Sequence, residues 1–278
     1  MKHYTAKVSV LAVLGICLLV AGPASAQKKD APPPKGGLGG AVPPPTKALP
    51  PGVTKEEQAD YKAVYDSKDD GKTIMLGEAF VTKYPISMYL FGIYSQLTSA
   101  YLHTNQTDKM FDVGNKALAI NPDSIDVLPV LAWAIPRGVT AKTPDGPAQL
   151  AKAQGYAHHA IDLLKAMTKP EGMDDAVFAK AKNEDLSLCY SGLGTVDMKT
   201  GKYAEAVADL NQAVMLTASP DDVDLYLLGL ADQQTNHFTA AIAAYTKCAA
   251  NPGPMQAGCK SGIDEAKKKA QNSIEAPE

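Results

Sequence analysis

Apolar residues in the C-terminal half of the chain recur at intervals of three and four, and one such pattern occurs twice. The first copy reads Tyr190-x-x-Leu193-Gly194, then Gly201-x-Tyr203-x-x-Ala206-x-x-x-Leu210-x-x-Ala213. The second reads Leu225-x-x-Leu228-Gly229, then His237-Phe238-x-x-Ala241-x-x-x-Tyr245-x-x-Cys248. Spacings of this kind put the apolar residues on one stripe of a helix. Each copy is interrupted once, near Gly201 and near His237, so each predicts two helices. Gly194 and Gly229 lie 35 residues apart, and a fixed period of that length is the mark of stacked helix pairs.

Counting back from Gly194 at the same spacing predicts three more pairs. In residues 86–122, Tyr94, Leu97 and Tyr101 mark a first helix. Ala117-Leu118-Ala119-Ile120-Asn121-Pro122 closes the second. Residues 123–167 predict a distorted pair, with helices over 123–135 and 147–167 separated by a Pro/Gly-bearing insertion at 136–146. Pro129 falls six residues into the first of these, so it should kink that helix or displace its start. Residues 55–84 predict a weaker pair, opened by the capping sequence Thr54-Lys55-Glu56-Glu57, divided at Asp70-Gly71 and closed by Pro85. The fourth pair has a long first helix over 174–200 and a second over 203–216. Ser219-Pro220 should start the fifth, as N-cap and first helical residue. A last helix over 255–272 ends in polar and charged residues, as a solvating cap would.

Gly or Ala at the eighth and twentieth positions, with large residues at four, seven, seventeen and twenty-four, resembles the tetratricopeptide repeat (TPR) family. The A-L-x-x-N-P ending at Pro122 resembles the end of such a repeat. The resemblance covers about 200 residues and is sharpest in the last two pairs. It implies an all-α, right-handed α-solenoid of about five TPR-like helix pairs plus a C-terminal capping helix, occupying residues 54–275. It also implies a protein-interaction scaffold with no enzymatic activity and no cofactor, binding a protein or peptide in a concave groove. That groove would be lined by the first helix of each pair: Ser95, Ser99, Leu102 and His103; Asp126, Trp133 and Arg137; Ser191, Thr195 and Lys199; Tyr226, Leu230, Gln233 and Gln234. The Lys and Asn set with which some family members clamp a peptide carboxylate is missing from these positions. Trp133 and Arg137 are the only Trp and the only Arg of the chain. Both residue types anchor interfaces, but a core Trp beside a helix-terminal Arg is the plainer reading.

The N-terminus has a different pattern. Lys2 and Lys7 precede an apolar run from Val8 to Val20, and Ala24-Ser25-Ala26 is an A-x-A site, so residues 1–26 read as a cleaved signal peptide. Retention as a membrane anchor is the alternative, although thirteen apolar residues fall short of the about 20 that a span needs. Residues 27–53 read as a Pro/Gly-rich linker that cannot bury enough surface to order itself; eight of the residues from 31 to 52 are Pro and five are Gly. Without residues 1–26, 25 Lys and Arg face 30 Asp and Glu. That mild acidity argues against a nucleic-acid partner.

Export permits disulfides. Cys248 and Cys259 flank the turn Asn251-Pro252-Gly253-Pro254, which can bring them within bonding distance; two small buried residues are the alternative. Cys189 reads as a buried free thiol. His158 and His159 are adjacent and so diverge by about 100° on a helix, which does not suit one metal. The acid pairs Asp69-Asp70, Asp174-Asp175 and Asp221-Asp222 stand at expected helix starts or turns, where capping and the helix dipole explain them. Two rival readings remain. One is an envelope glycan or peptidoglycan enzyme, which predicts a deep pocket gathering two carboxylates or a histidine. The other is a membrane-anchored complex subunit.

Overall fold

The computed structural model describes residues 49–275. The expected signal peptide and most of the expected linker therefore lie outside the described residues. Those described form eleven helices and no strand: α1 Lys55–Tyr65, α2 Asp70–Lys83, α3 Leu90–His103, α4 Thr107–Ile120, α5 Leu128–Gly138, α6 Gly146–Ala166, α7 Asp175–Thr200, α8 Tyr203–Met215, α9 Asp222–Gln234, α10 Phe238–Ala250 and α11 Gln256–Glu275. Each packs chiefly on its neighbours in sequence, with α5 also lying against α7. This is the nearest-neighbour architecture of an α-solenoid.

Local chemistry sets the helix ends. Thr54 Oγ1 accepts from the Glu57 N–H at 3.1 Å and starts α1. Asp69 caps α2 by accepting from the Lys72 N–H at 2.7 Å. Asp70 and Gly71 thus open α2, and the break expected at them falls at 66–69 instead. Asp174 caps α7 through the N–H groups of Ala176 and Val177. For α9 the cap is Asp221, which accepts from the Val223 N–H at 2.9 Å, rather than the expected Ser219. A carboxylate at this point also meets the positive end of the helix dipole.

Three of the turns inside pairs are equivalent atom for atom. Asn105, Gly201 and Asn236 each adopt positive φ (57°, 76° and 62°). The following amide donates back five residues in every case: Gln106 to Tyr101, Lys202 to Asp197 and His237 to Asp232, at 2.9, 2.9 and 2.7 Å. These are Schellman-type closures, for which Gly and Asn are the residues that tolerate left-handed backbone. The second, fourth and fifth pairs therefore share one geometry, although only two share the glycine motif. In the later pairs a Cβ on Gly194 would lie 2.5 Å from Leu210 Cγ, and one on Gly229 would lie 2.6 Å from the Tyr245 ring. Ala206 and Ala241 are fully buried. The second pair places Thr98 and Met110 at these two positions, both buried. It sets Gly114 opposite Leu131 of α5, so its spare room receives the next pair.

The third pair departs from the rule. Pro129 displaces the start of its first helix to Leu128, so that proline sits in the first turn, where its missing N–H does no harm. Pro136, expected in the insertion, lies inside α5. It has no N–H to offer the Ala132 carbonyl, and that carbonyl faces Gly192 of α7, where any Cβ would collide with it. A carbonyl freed by proline and a residue without a side chain together let α5 lie directly on α7.

One apolar core runs from Tyr61 to Val196, and smaller clusters fill the spaces among α8, α9, α10 and α11. Cys248 and Cys259 form a disulfide with Cα atoms 6.0 Å apart, tying α10 to α11. Cys189 is buried with a free thiol.

Candidate partner-binding surface

The side chains expected to line a groove have different fates. On α3, Ser95 is buried and Ser99 and Leu102 are half-buried. His103 is nearly covered, and its Nδ1 lies 3.2 Å from Asp70 Oδ1 of α2. Asp126, in the turn before α5, is half-buried. On α7, Ser191 and Thr195 are buried, because α5 lies over that side of the helix. Lys199 reaches across to donate to the Val139 carbonyl at 2.6 Å, and burial lowers its pKa. On α9, Gln233 is buried and accepts from the Tyr245 hydroxyl at 2.9 Å. Tyr226 and Leu230 are half-buried against the C-terminal cluster, and Gln234 is exposed.

Three of these residues come together with two that the sequence reading did not count. Arg137, at the end of α5, donates to Ser191 Oγ of α7 at 2.8 Å, to Asp221, the cap of α9, at 3.2 Å and to Asp224 of α9 at 2.9 Å. It also donates to the Trp133 carbonyl at 3.2 Å, and its guanidinium lies 4.2 Å from the centre of the Trp133 ring. Ser191 in turn donates to Asp224 at 2.6 Å. The node spans the first helices of three successive pairs, and Arg137 bonds to side chains 54, 84 and 87 residues away. Arg suits this place because its planar fork offers several donors to carboxylates at once. Trp133 is half-buried; it is neither a core residue nor a free one, and Arg137 braces one side of it.

Sequence reasoning read Asp221 as a cap and passed over Asp224. A signal existed: with a single arginine in the chain, any buried carboxylate in need of a guanidinium had one possible partner. Its location, more than eighty residues upstream, did not show.

A second carboxyl pair lies between α7 and α8. Burial pushes Asp209 up to about 6, with Asp197 adding to the effect. Burial also raises Asp197, against the pull of Lys202. The two carboxyls share a hydrogen bond, which needs a proton on one of them. A shallow cavity of about 570 Å³ lies elsewhere, along α2 beside Ile74, Met75 and Ala79. Among the described residues no group of three or more His, Cys, Asp or Glu is placed to hold a metal ion, and His158 and His159 are both exposed.

No family model matches the chain, and no curated protein matches it. Among solved structures the chain is similar to a thermophilic TPR protein of Thermus thermophilus. The two share 16% identity over 76% of this chain and 98% of that one, with a TM-score of 0.46. The repetition of helix pairs is visible in the chain's own atoms, in three equivalent turns and in glycines that face large side chains within their pairs.

Proposed function

We propose that this chain is an exported protein-interaction scaffold that takes a helical or extended peptide of an envelope protein along its first helices. The observation that carries the reading is the node itself. It aligns α5, α7 and α9, and it presents Trp133 half-exposed among them. Ser99 and Leu102 on α3 and Tyr226 and Leu230 on α9 stand on the first helices of the second and fifth pairs, and all are half-buried. Partly exposed aromatic and aliphatic residues on rigid helices lose little conformational freedom on binding, which favours them as contact points.

The structure changes how this is tested. Arg137 is committed to internal partners, so removing it would disturb the helices as well as the surface. Photo-cross-linking residues are better placed one at a time at Ser99, Trp133 and Leu230, with Ala79 on α2 and Ala240 on α10 as second-helix controls. Cross-linked partners should appear from the first three positions and not from the controls. Equal capture from Ala79 and Ala240 would refute the groove reading. Export is tested separately, by sequencing the N-terminus of the mature protein: a start at Gln27 supports a cleaved signal, and an intact Met1 supports the anchored alternative.

A further inference from the structure

The Arg137 node has an uneven charge balance. One guanidinium serves two carboxylates, and they differ in exposure: the Asp221 side chain keeps 37% of its surface and that of Asp224 only 5%. With both ionised, the cluster carries one negative charge too many; with one proton, it carries none. Burial raises the pKa of Asp224, Arg137 opposes the shift and Asp221 adds to it.

The groups acting on Asp224 are Arg137 from α5, Ser191 from α7 and Asp221 from the cap of its own helix. The other elements packed on α9 direct their polar groups elsewhere. Asn251, at the end of α10, donates to Asp222. Glu265 of α11 acts on Tyr226 and Tyr245, and Asp209 of α8 pairs with Asp197. His237 and Asp232 face each other at the far end of α9. No second cation among these balances the ionised node.

We propose that the node is a proton-operated tie. With Asp224 protonated, α5, α7 and α9 close around a balanced Arg137–Asp221 pair. When the proton leaves, water is drawn in beside Asp224 and α9 loosens from α5. The driving force is the cost of keeping an incompletely compensated carboxylate away from water. A carboxyl whose pKa is raised by folding gives its full contribution to stability below its unfolded value. That contribution is lost as the pH rises through the folded value, so the tie holds in acid and slackens toward neutrality. Its consequence for binding rests on the groove reading, because the strip around Trp133 would then change shape with pH. The tie itself needs no partner.

The chain supplies its own reporter, since Trp133 is its only tryptophan and stacks on the guanidinium that the tie holds. Tryptophan fluorescence of the full chain, followed from pH 4 to pH 8, should titrate once, with a midpoint above the ordinary aspartate value of about 3.9. Asp224→Asn should abolish that titration, and Asp209→Asn should leave it in place. A flat wild-type profile, or a titration that survives in Asp224→Asn, overturns the proposal. Should Asp224→Asn fail to fold, Ser191→Ala decides. Removing a donor to the ionised carboxylate must move the midpoint upward, and an unmoved midpoint overturns the tie. These outcomes are independent of the cross-linking result, so either idea can fail without the other.

Discussion

Two residues carry effects that their neighbours in sequence do not foretell. Asp209 is an ordinary helical aspartate by position, yet burial beside Asp197 holds its carboxyl at about 6. Its contribution is full below pH 4 and declines as the pH rises through 6, because the folded state binds the proton more tightly than the unfolded chain. Asp209→Asn should therefore be more stable than wild type at pH 7.5, by about 1–2 kcal/mol, with the gain vanishing near pH 4. Urea unfolding at the two pH values checks this, and an equal difference at both would count against the shared proton. Gly192 is the second case. Because the Ala132 carbonyl stands where its Cβ would go, Gly192→Ala should destabilise by about 1–3 kcal/mol. Gly155→Ala, which meets nothing within 4 Å, should be neutral or stabilising; thermal melts of the pair of variants make the comparison.

At the scale of elements, the helices follow from caps and spacing, and the misplacements have specific causes. Asp69 and Asp70 both qualify as caps for α2. The choice between them depended on which carboxylate could reach Lys72, a matter of backbone conformation rather than residue type. For α9 it is Asp221, not Ser219, whose carboxylate reaches the Val223 N–H, and its other oxygen meets Arg137. At the end of the array the sequence offered a Cys248–Cys259 bond beside the alternative of two small buried residues, and the structure has the bond. The Cys248–Cys259 bond ties α11 over Tyr245, whose ring lies against the Gly262 backbone. Replacing both cysteines by serine should lower stability by about 2–4 kcal/mol. The protection of α11 amides in hydrogen exchange should fall first, while α3 and α4 keep theirs. Loss spread evenly over all helices would argue against a local role for the bond.

At the scale of the whole molecule, each helix pair depends on the next for burial of its faces. The C-terminal cluster of α9, α10 and α11 contains the disulfide and shares its helices only with the cluster beside α8. Ending the chain at residue 255 removes α11 and uncovers Tyr245 and Cys248. The truncated protein should melt at a lower temperature and bind a hydrophobic dye, while circular dichroism keeps the signal of the remaining helices. Wholesale loss of helix would mean that the array is more cooperative than nearest-neighbour stacking implies.

The sequence by itself determined the class of the fold, the number of helix pairs and, in the fourth and fifth pairs, the glycines at which paired helices approach. Those features are local: the 3.6-residue period, a glycine opposite a large side chain, and Gly201 at the turn of the fourth pair. It also pointed to the third pair as irregular. Only the tertiary structure decided what that irregularity does. Pro136 frees the Ala132 carbonyl that packs on Gly192, so α5 lies on α7, and Ser191 and Thr195 are buried where a free groove surface was expected. Arg137, at the end of α5, thereby meets Asp224 of α9 and Asp221, the cap of that helix. Pairings over such separations are set by how whole helices stack, and no periodicity in the chain encodes them.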